Sequence, residues 1–158
     1  MSVHVAVCGP GNASPQEAEA AEQIGILLAE GGAVVVCGGL GGVMDAAARG
    51  ARSAGGTVVG ILPGDSPAGA SEHLTVAIPT GLGEARNALI ALAADALIAV
   101  GGEFGTLSEI ALALKMGKPV VGLNTWELVR GGQTVQAIER ADTAEQAVKV
   151  ALKAAGAD

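Results

Sequence analysis

Half of the 158 residues are apolar and only 16% are charged, so the chain is too hydrophobic for disorder and long enough to bury one core. A net charge of −7 argues against nucleic acid, whose binders need a basic stripe, and no apolar run approaches a membrane span. The start of the chain has no basic segment or cleavage site, so one cytoplasmic domain over residues 1–158 is expected, with no nucleic acid and no membrane as partner.

Small and branched apolar residues, together with 25 glycines, suit a layered α/β domain with buried parallel strands. His4 to Cys8 reads as a first strand, followed by a loop over Gly9, Pro10, Gly11, Asn12 and Ala13. Ser14, Pro15 and Glu17 form a helix start with a Ser cap, Pro in the first helical position and Glu three residues after the cap; this helix is expected to run to about Glu30. Ala33 to Cys37 is a second strand, and the run Gly38-Gly39-Leu40-Gly41-Gly42-Val43-Met44 opens a helix to about Ala54. Thr57 to Leu62 and Leu74 to Ile78 read as strands three and four, and Pro79 to Gly83 leads into a helix from about Glu84 to Ala94.

Ala96 to Val100 is a fifth strand, broken by Gly101, Gly102 and Gly105, and apolar residues at helical spacing follow from Thr106 to Met116. Val120 to Leu123 is strand six, Thr134 to Ile138 a short further strand, and Asp142 to Ala155 a closing helix capped by Asp142 or Thr143. Strands alternating with helices predict an α/β, Rossmann-like, three-layer domain whose mostly parallel sheet carries helices on both faces. Ligands on such sheets bind beyond the carboxyl ends of the strands, where the loops Gly9–Ala13, Gly38–Gly42 and Gly101–Gly105 all fall.

Those loops are candidate phosphate cradles, since backbone N–H groups and a helix dipole suit an anion. Two glycine pairs over Gly38 to Gly42 exceed what a tight strand-to-helix turn needs, although the spacing is not that of a dinucleotide fingerprint. Only Arg49, Arg52 and Arg86 are basic before residue 100. Arg86 opens its helix, where a cation opposes the dipole, and is read as an anion-binding residue with a solvated surface arginine as the alternative. Thr106 and Glu109 form a T-x-x-E capping box on one reading; on the other, Glu109 is a functional carboxylate beside the glycine turn. Cys8 and Cys37 read as buried thiols, and with His4 and His73 the only histidines, no metal site is expected.

The stretch Gly102-Glu103-Phe104-Gly105-Thr106-Leu107-Ser108-Glu109 resembles the PGGxGTxxE signature of the Lonely Guy family, also called lysine-decarboxylase-like. Gly38-Gly39 through Gly42-Val43-Met44 resembles that family's earlier glycine turn, and Arg86 lies where the family has a functional arginine. The similarity covers about residue 3 to residue 123, and the compact length is closest to the branch containing molybdenum-cofactor carrier proteins. In this chain Gly101 stands for the signature's Pro, Glu103 for its second Gly, and Asn87 for the basic residue after the arginine.

The resemblance implies a phosphorylated small-molecule ligand, either an AMP-like nucleotide or the molybdenum cofactor, and a homodimer or higher homo-oligomer. It implies either a phosphoribohydrolase of nucleoside 5′-monophosphates, with Arg86 and Glu109 catalytic, or a carrier or sensor without turnover. Gly9, Gly11, Gly38, Gly39, Gly41, Gly42, Met44, Gly102, Gly105 and Thr106 are the expected ligand-binding residues. Lysine decarboxylation is rejected: pyridoxal phosphate needs a Schiff-base lysine, and Lys115 and Lys118 stand at the far end of their helix.

Overall fold

The first strand, β1 (His4–Cys8), sets the layers of the domain. Val5 and Val7 face one side of the sheet and Ala6 and Cys8 the other, because successive side chains of a strand alternate. Both faces are fully buried, so both need helices over them. The structure, a computed structural model, describes residues 1–157.

After β1 come α1 (Pro15–Glu30), β2 (Val34–Cys37), α2 (Val43–Ser53), β3 (Val58–Leu62) and β4 (Val76–Pro79). A 3₁₀ turn over Gly83–Arg86 leads into α3 (Asn87–Ala93), then β5 (Ala96–Val100), α4 (Phe104–Lys115) and β6 (Val120–Leu123). The chain closes with β7 (Val129–Arg130), β8 (Gln133–Thr134), β9 (Glu139–Ala141) and α5 (Ala144–Ala154). Seven strands form one parallel sheet in the order β4-β3-β2-β1-β5-β6-β9, while β7 and β8 pair separately as an antiparallel hairpin. This is the expected α/β three-layer Rossmann-like fold.

Ile24 and Leu28 of α1, Val43 of α2 and Val148 of α5 pack with Val5 and Val7 on one face. Ile90 of α3 and Ile110 of α4 pack with Ala6 and Cys8 on the other. The α1–α2 crossing is close enough that a Cβ on Gly50 would stand 2.0 Å from the Glu22 carbonyl oxygen, and one on Gly25 2.1 Å from that of Ala47. Strand order reverses between β1 and β5, which opens a crevice beyond their carboxyl ends.

Three expectations shift here, and one open alternative is settled. The fourth strand lies at Val76–Pro79, because Leu74 turns into the core against Gly60, where a Cβ would be 2.5 Å away. The helix expected from Glu84 begins instead as the 3₁₀ turn that ends at Arg86. Thr134–Ile138 is not one strand: Gly131 and Gly132, both at positive φ, fold 129–134 into a hairpin, and the pairing strand is β9. The closing helix is capped by Thr143, whose hydroxyl accepts from the Gln146 N–H at 3.1 Å, and not by Asp142. No described helix is long and apolar enough to cross a membrane.

Candidate functional site

The crevice is walled by the loop after β1, the loop after β2, the 3₁₀ turn carrying Arg86, and the first turn of α4. The structure thus brings all the predicted site residues to one edge of the sheet, in different roles. Gly42, at φ 63°, caps α2 because a Cβ there would stand 2.2 Å from the Pro10 carbonyl oxygen. Val43 N–H donates to that same oxygen at 3.1 Å, so the first two loops rest on one another. Gly9 and Gly39 are likewise hemmed in by protein atoms, a Cβ on either meeting a neighbour at 2.5 Å. Gly11 and Gly105 differ: a Cβ on either would meet nothing within 4 Å, and Gly41 meets only the Gly11 carbonyl oxygen at 3.4 Å.

The first turn of α4 is open. The helix begins at Phe104, two residues before Thr106, with Glu103 as its cap residue and no side chain closing it. The capping box, one of the two readings of Thr106 and Glu109, is therefore not formed. Leu107 N–H donates to the Glu103 carbonyl at 3.0 Å as the first bond of the ladder, so the amides of Phe104, Gly105 and Thr106 precede it. Thr106 is buried, and its Oγ1 has no hydrogen-bond partner. Buried hydroxyls are seldom left so.

Arg86 is 6% exposed, which removes the surface-arginine alternative. Its Nε donates to the Ile61 carbonyl at 2.9 Å, one terminal nitrogen to the Gly38 carbonyl at 3.5 Å, and the other to Asn87 Oδ1. A Cβ on Gly38 would stand 2.8 Å from Arg86 Nη2 and 2.7 Å from Met44 Sδ, so that glycine makes room for the guanidinium and the thioether. Asn87 Nδ2 donates to Ser108 Oγ at 3.0 Å, and Ser108 Oγ donates to the Gly105 carbonyl at 2.6 Å. This relay ties the arginine to the first turn of α4. Asn87 and Ser108 were not anticipated as parts of the site; an amide directly after the arginine was the available signal.

Glu109 projects from the same helix, is 8% exposed, and has no hydrogen-bond partner among the described residues. Burial pushes its carboxyl up to about 8; the Arg86 charge opposes this and that of Glu84 adds to it. Burial, seconded by the Glu109 charge, also raises the Cys8 thiol well above its ordinary range, and burial takes Cys37 to about 11. Both cysteines are neutral, and they face opposite sides of the sheet. No group of three or more His, Cys, Asp or Glu side chains placed to hold a metal occurs among the described residues. The other two early arginines serve elsewhere: Arg49 pairs with Glu22 and Asp45, and Arg52 reaches the Gly56 carbonyl.

Trp126 joins the site from the far side of β6, which sequence reasoning left without a role. Its Nε1 donates to the Glu103 carbonyl at 3.2 Å, and its ring lies 5.7 Å from that of Phe104 at a 31° tilt. Gly102, at φ 150°, makes the approach possible, since a Cβ would stand 2.9 Å from the indole nitrogen.

Comparison with known proteins agrees with this layout. The model of the SLOG cluster4 family matches residues 2–154. An uncharacterised protein of Archaeoglobus fulgidus is 42% identical over 139 residues, covering 88% of this chain and 91% of its own. The solved molybdenum cofactor binding protein of the phototrophic bacterium Rippkaea orientalis is similar, with 36% identity, TM-score 0.87 and 95% of each chain covered. So is a Moco carrier protein from Chlamydomonas reinhardtii, with 33% identity, TM-score 0.86 and 99% of each chain covered.

Proposed function

We propose that this chain, which belongs to the SLOG cluster4 family, binds a phosphorylated pterin of the molybdenum-cofactor type and carries it without turnover. The observation that carries the reading is the burial of Glu109 beside an Arg86 guanidinium already committed to other partners. Stabilising an oxocarbenium-like state requires an ionised carboxylate, and a carboxyl pushed up to about 8 holds its proton at neutral pH. Arg86, the partner expected for such chemistry, donates instead to two backbone carbonyls and Asn87. The likeness to proteins described as binding or carrying the molybdenum cofactor supports the same reading.

The donor set left over fits the cargo's phosphate. The amides of Gly105 and Thr106 and the partnerless Thr106 hydroxyl would hold it, with Gly102 beside them and Gly11 and Gly41 lining the opposite wall. The pterin would carry the molybdenum as cargo, and this chain's residues would bind its phosphate ester. A homodimer would cover the exposed apolar side chains Leu82 and Leu92 near the Arg86 turn, with Val76 and Ile78 at the sheet edge. Sedimentation at two protein concentrations should give a dimer mass, and a monomer at both would remove that expectation.

A phosphoribohydrolase is the second reading, favoured by the shared edge on which Arg86 and Glu109 meet. Incubation with AMP, GMP and CMP followed by chromatography decides between the two. No free base is expected, together with thermal stabilisation by a phosphorylated pterin. Base release that both Arg86→Ala and Glu109→Gln abolish, and that rises as pH passes about 8, would establish the hydrolase instead.

A further inference from the structure

The buried face of α4 carries four residues, and they divide by position along the helix. Ile110 and Ala113 are apolar and pack into the core. Thr106 and Glu109, nearer the open first turn, are polar, only 2% and 8% exposed, and without a hydrogen-bond partner among the described residues. A buried polar group with no partner gives up its hydration for nothing, so apolar side chains would serve the fold better at both places. The proposed phosphate site uses the Thr106 hydroxyl and leaves Glu109 without a role.

Residues three apart share a helix face, and helical side chains lean toward the N-terminus. The longer Glu109 side chain therefore reaches back along the face of Thr106 toward the open turn. Its surroundings set the form in which it acts. Among the described residues the one cation acting on it is Arg86, whose three nitrogens donate to the Ile61 and Gly38 carbonyls and to Asn87 Oδ1, none of them to Glu109. Glu84, from the same turn, adds negative charge, and Cys8 of β1 and Cys37 of β2 face it as neutral thiols. The elements packed most closely on α4, namely α3, β5 and β6, bear no ionisable side chain.

A carboxyl buried with no hydrogen bond to a cation keeps its proton, in line with its being pushed up to about 8. A protonated carboxyl is a hydrogen-bond donor, where an ionised one only accepts. A phosphate ester dianion offers acceptors only. The Gly105 and Thr106 amides, the Thr106 hydroxyl and a protonated Glu109 make a set of donors that matches it, whereas an ionised Glu109 would set like charges side by side.

We infer that Glu109 binds the ligand as the neutral acid: its O–H donates to the phosphoryl group at the α4 turn, and binding is tied to the proton that this side chain keeps. The inference rests on the phosphate site proposed above and adds to it the residue that makes binding proton-linked. Linkage fixes the sign. The bound dianion favours the protonated form, so affinity is full while free Glu109 is protonated and falls as pH rises through its titration. Above that point binding takes up a proton from solution.

Ribose 5-phosphate is the probe, because its last phosphate ionisation lies at about pH 6 and nothing else in it titrates near that of Glu109. Calorimetry is run from pH 7 to pH 9.5 on the wild type, Glu109→Gln and Glu109→Leu, with melting curves at each pH to show that the fold is intact. Wild-type affinity should fall about 30-fold over this range, as one proton on a group titrating at about 8 requires. Titrations at pH 8.5 in two buffers of different ionisation heat should show uptake of about half a proton or more per ligand. Glu109→Gln, whose amide still donates, should bind within about threefold of the wild type at pH 7 and lose the pH dependence. Glu109→Leu should bind about tenfold more weakly at pH 7, with Tm unchanged or raised. A wild-type affinity flat with pH, a decline that Glu109→Gln shares, or full-strength binding by Glu109→Leu would overturn the inference and leave the phosphate site standing. No binding of ribose 5-phosphate at any pH would remove the phosphate site and this role of Glu109 with it.

Discussion

Helices α1 and α4 start alike and end up in opposite conditions. Each leaves a central strand through a glycine-bearing loop at the same edge of the sheet. At α1 the start is closed twice: Ser14 Oγ accepts from the Glu17 N–H at 3.2 Å, and the Ser14 N–H donates to Glu17 Oε2 at 2.9 Å. At α4 no side chain closes the start, Gly105 faces open space, and the Thr106 hydroxyl is buried without a partner. A helix that satisfies its own first turn is a structural element. One whose first turn is left uncapped beside a crevice offers amides and a dipole to a ligand, which is what the proposed phosphate would use.

The sharpest way to break the contrast is to close α4 from within. Gly105→Asp places a carboxylate in the first turn, where it favours the dipole and occupies the anion's place. Binding of a phosphorylated pterin should fall by about 100-fold or more, and Tm should hold or rise. Calorimetry with a parallel melting curve checks both, and a fall in both together would mean the turn is structural.

Next in size is the interior behind that turn. Glu109 has its folded pKa raised from 4.5 to about 8, so the folded state holds a proton that the unfolded state has released. The stability this group permits is complete below about pH 4.5 and is lost as pH rises through about 8. Melting curves from pH 5 to 9 should show a decline that Glu109→Gln removes; an equal decline in the variant would assign it to other groups.

The smaller effects should run opposite ways at the two helices. Thr106→Ala removes an unpaired buried hydroxyl, so stability should be unchanged or improved while ligand binding weakens by about tenfold. Ser14→Ala removes a satisfied cap, costing about 1 kcal/mol and about 2–4 °C in Tm, with ligand binding untouched. The contrast is gone if both variants lose stability and neither loses ligand.

Local patterns carried α1 in full, because Ser14, Pro15 and Glu17 act within four residues of one another. The same logic left two readings open at Thr106 and Glu109. Their spacing satisfies the capping rule, but the helix winds two residues earlier and turns Glu109 into the space beside Arg86 and Cys8. The hairpin was missed because strands of two residues carry no periodicity, and β9 because its exposed Glu139 and Arg140 read as loop.

What the sequence by itself determined was the layered α/β fold and the edge that bears the candidate site. Buried strands, helix periods and glycine breaks are local signals, and chirality then leaves few ways to connect them. Only the tertiary structure decided what each site residue does there. It packed Gly9, Gly39 and Gly42 against protein and left Gly11 and Gly105 open, committed Arg86 to backbone carbonyls, and brought Trp126 onto the α4 turn. Those outcomes depend on atoms far apart in the chain: steric clearance, desolvation and hydrogen-bond supply at a point exist only once the strands are assembled.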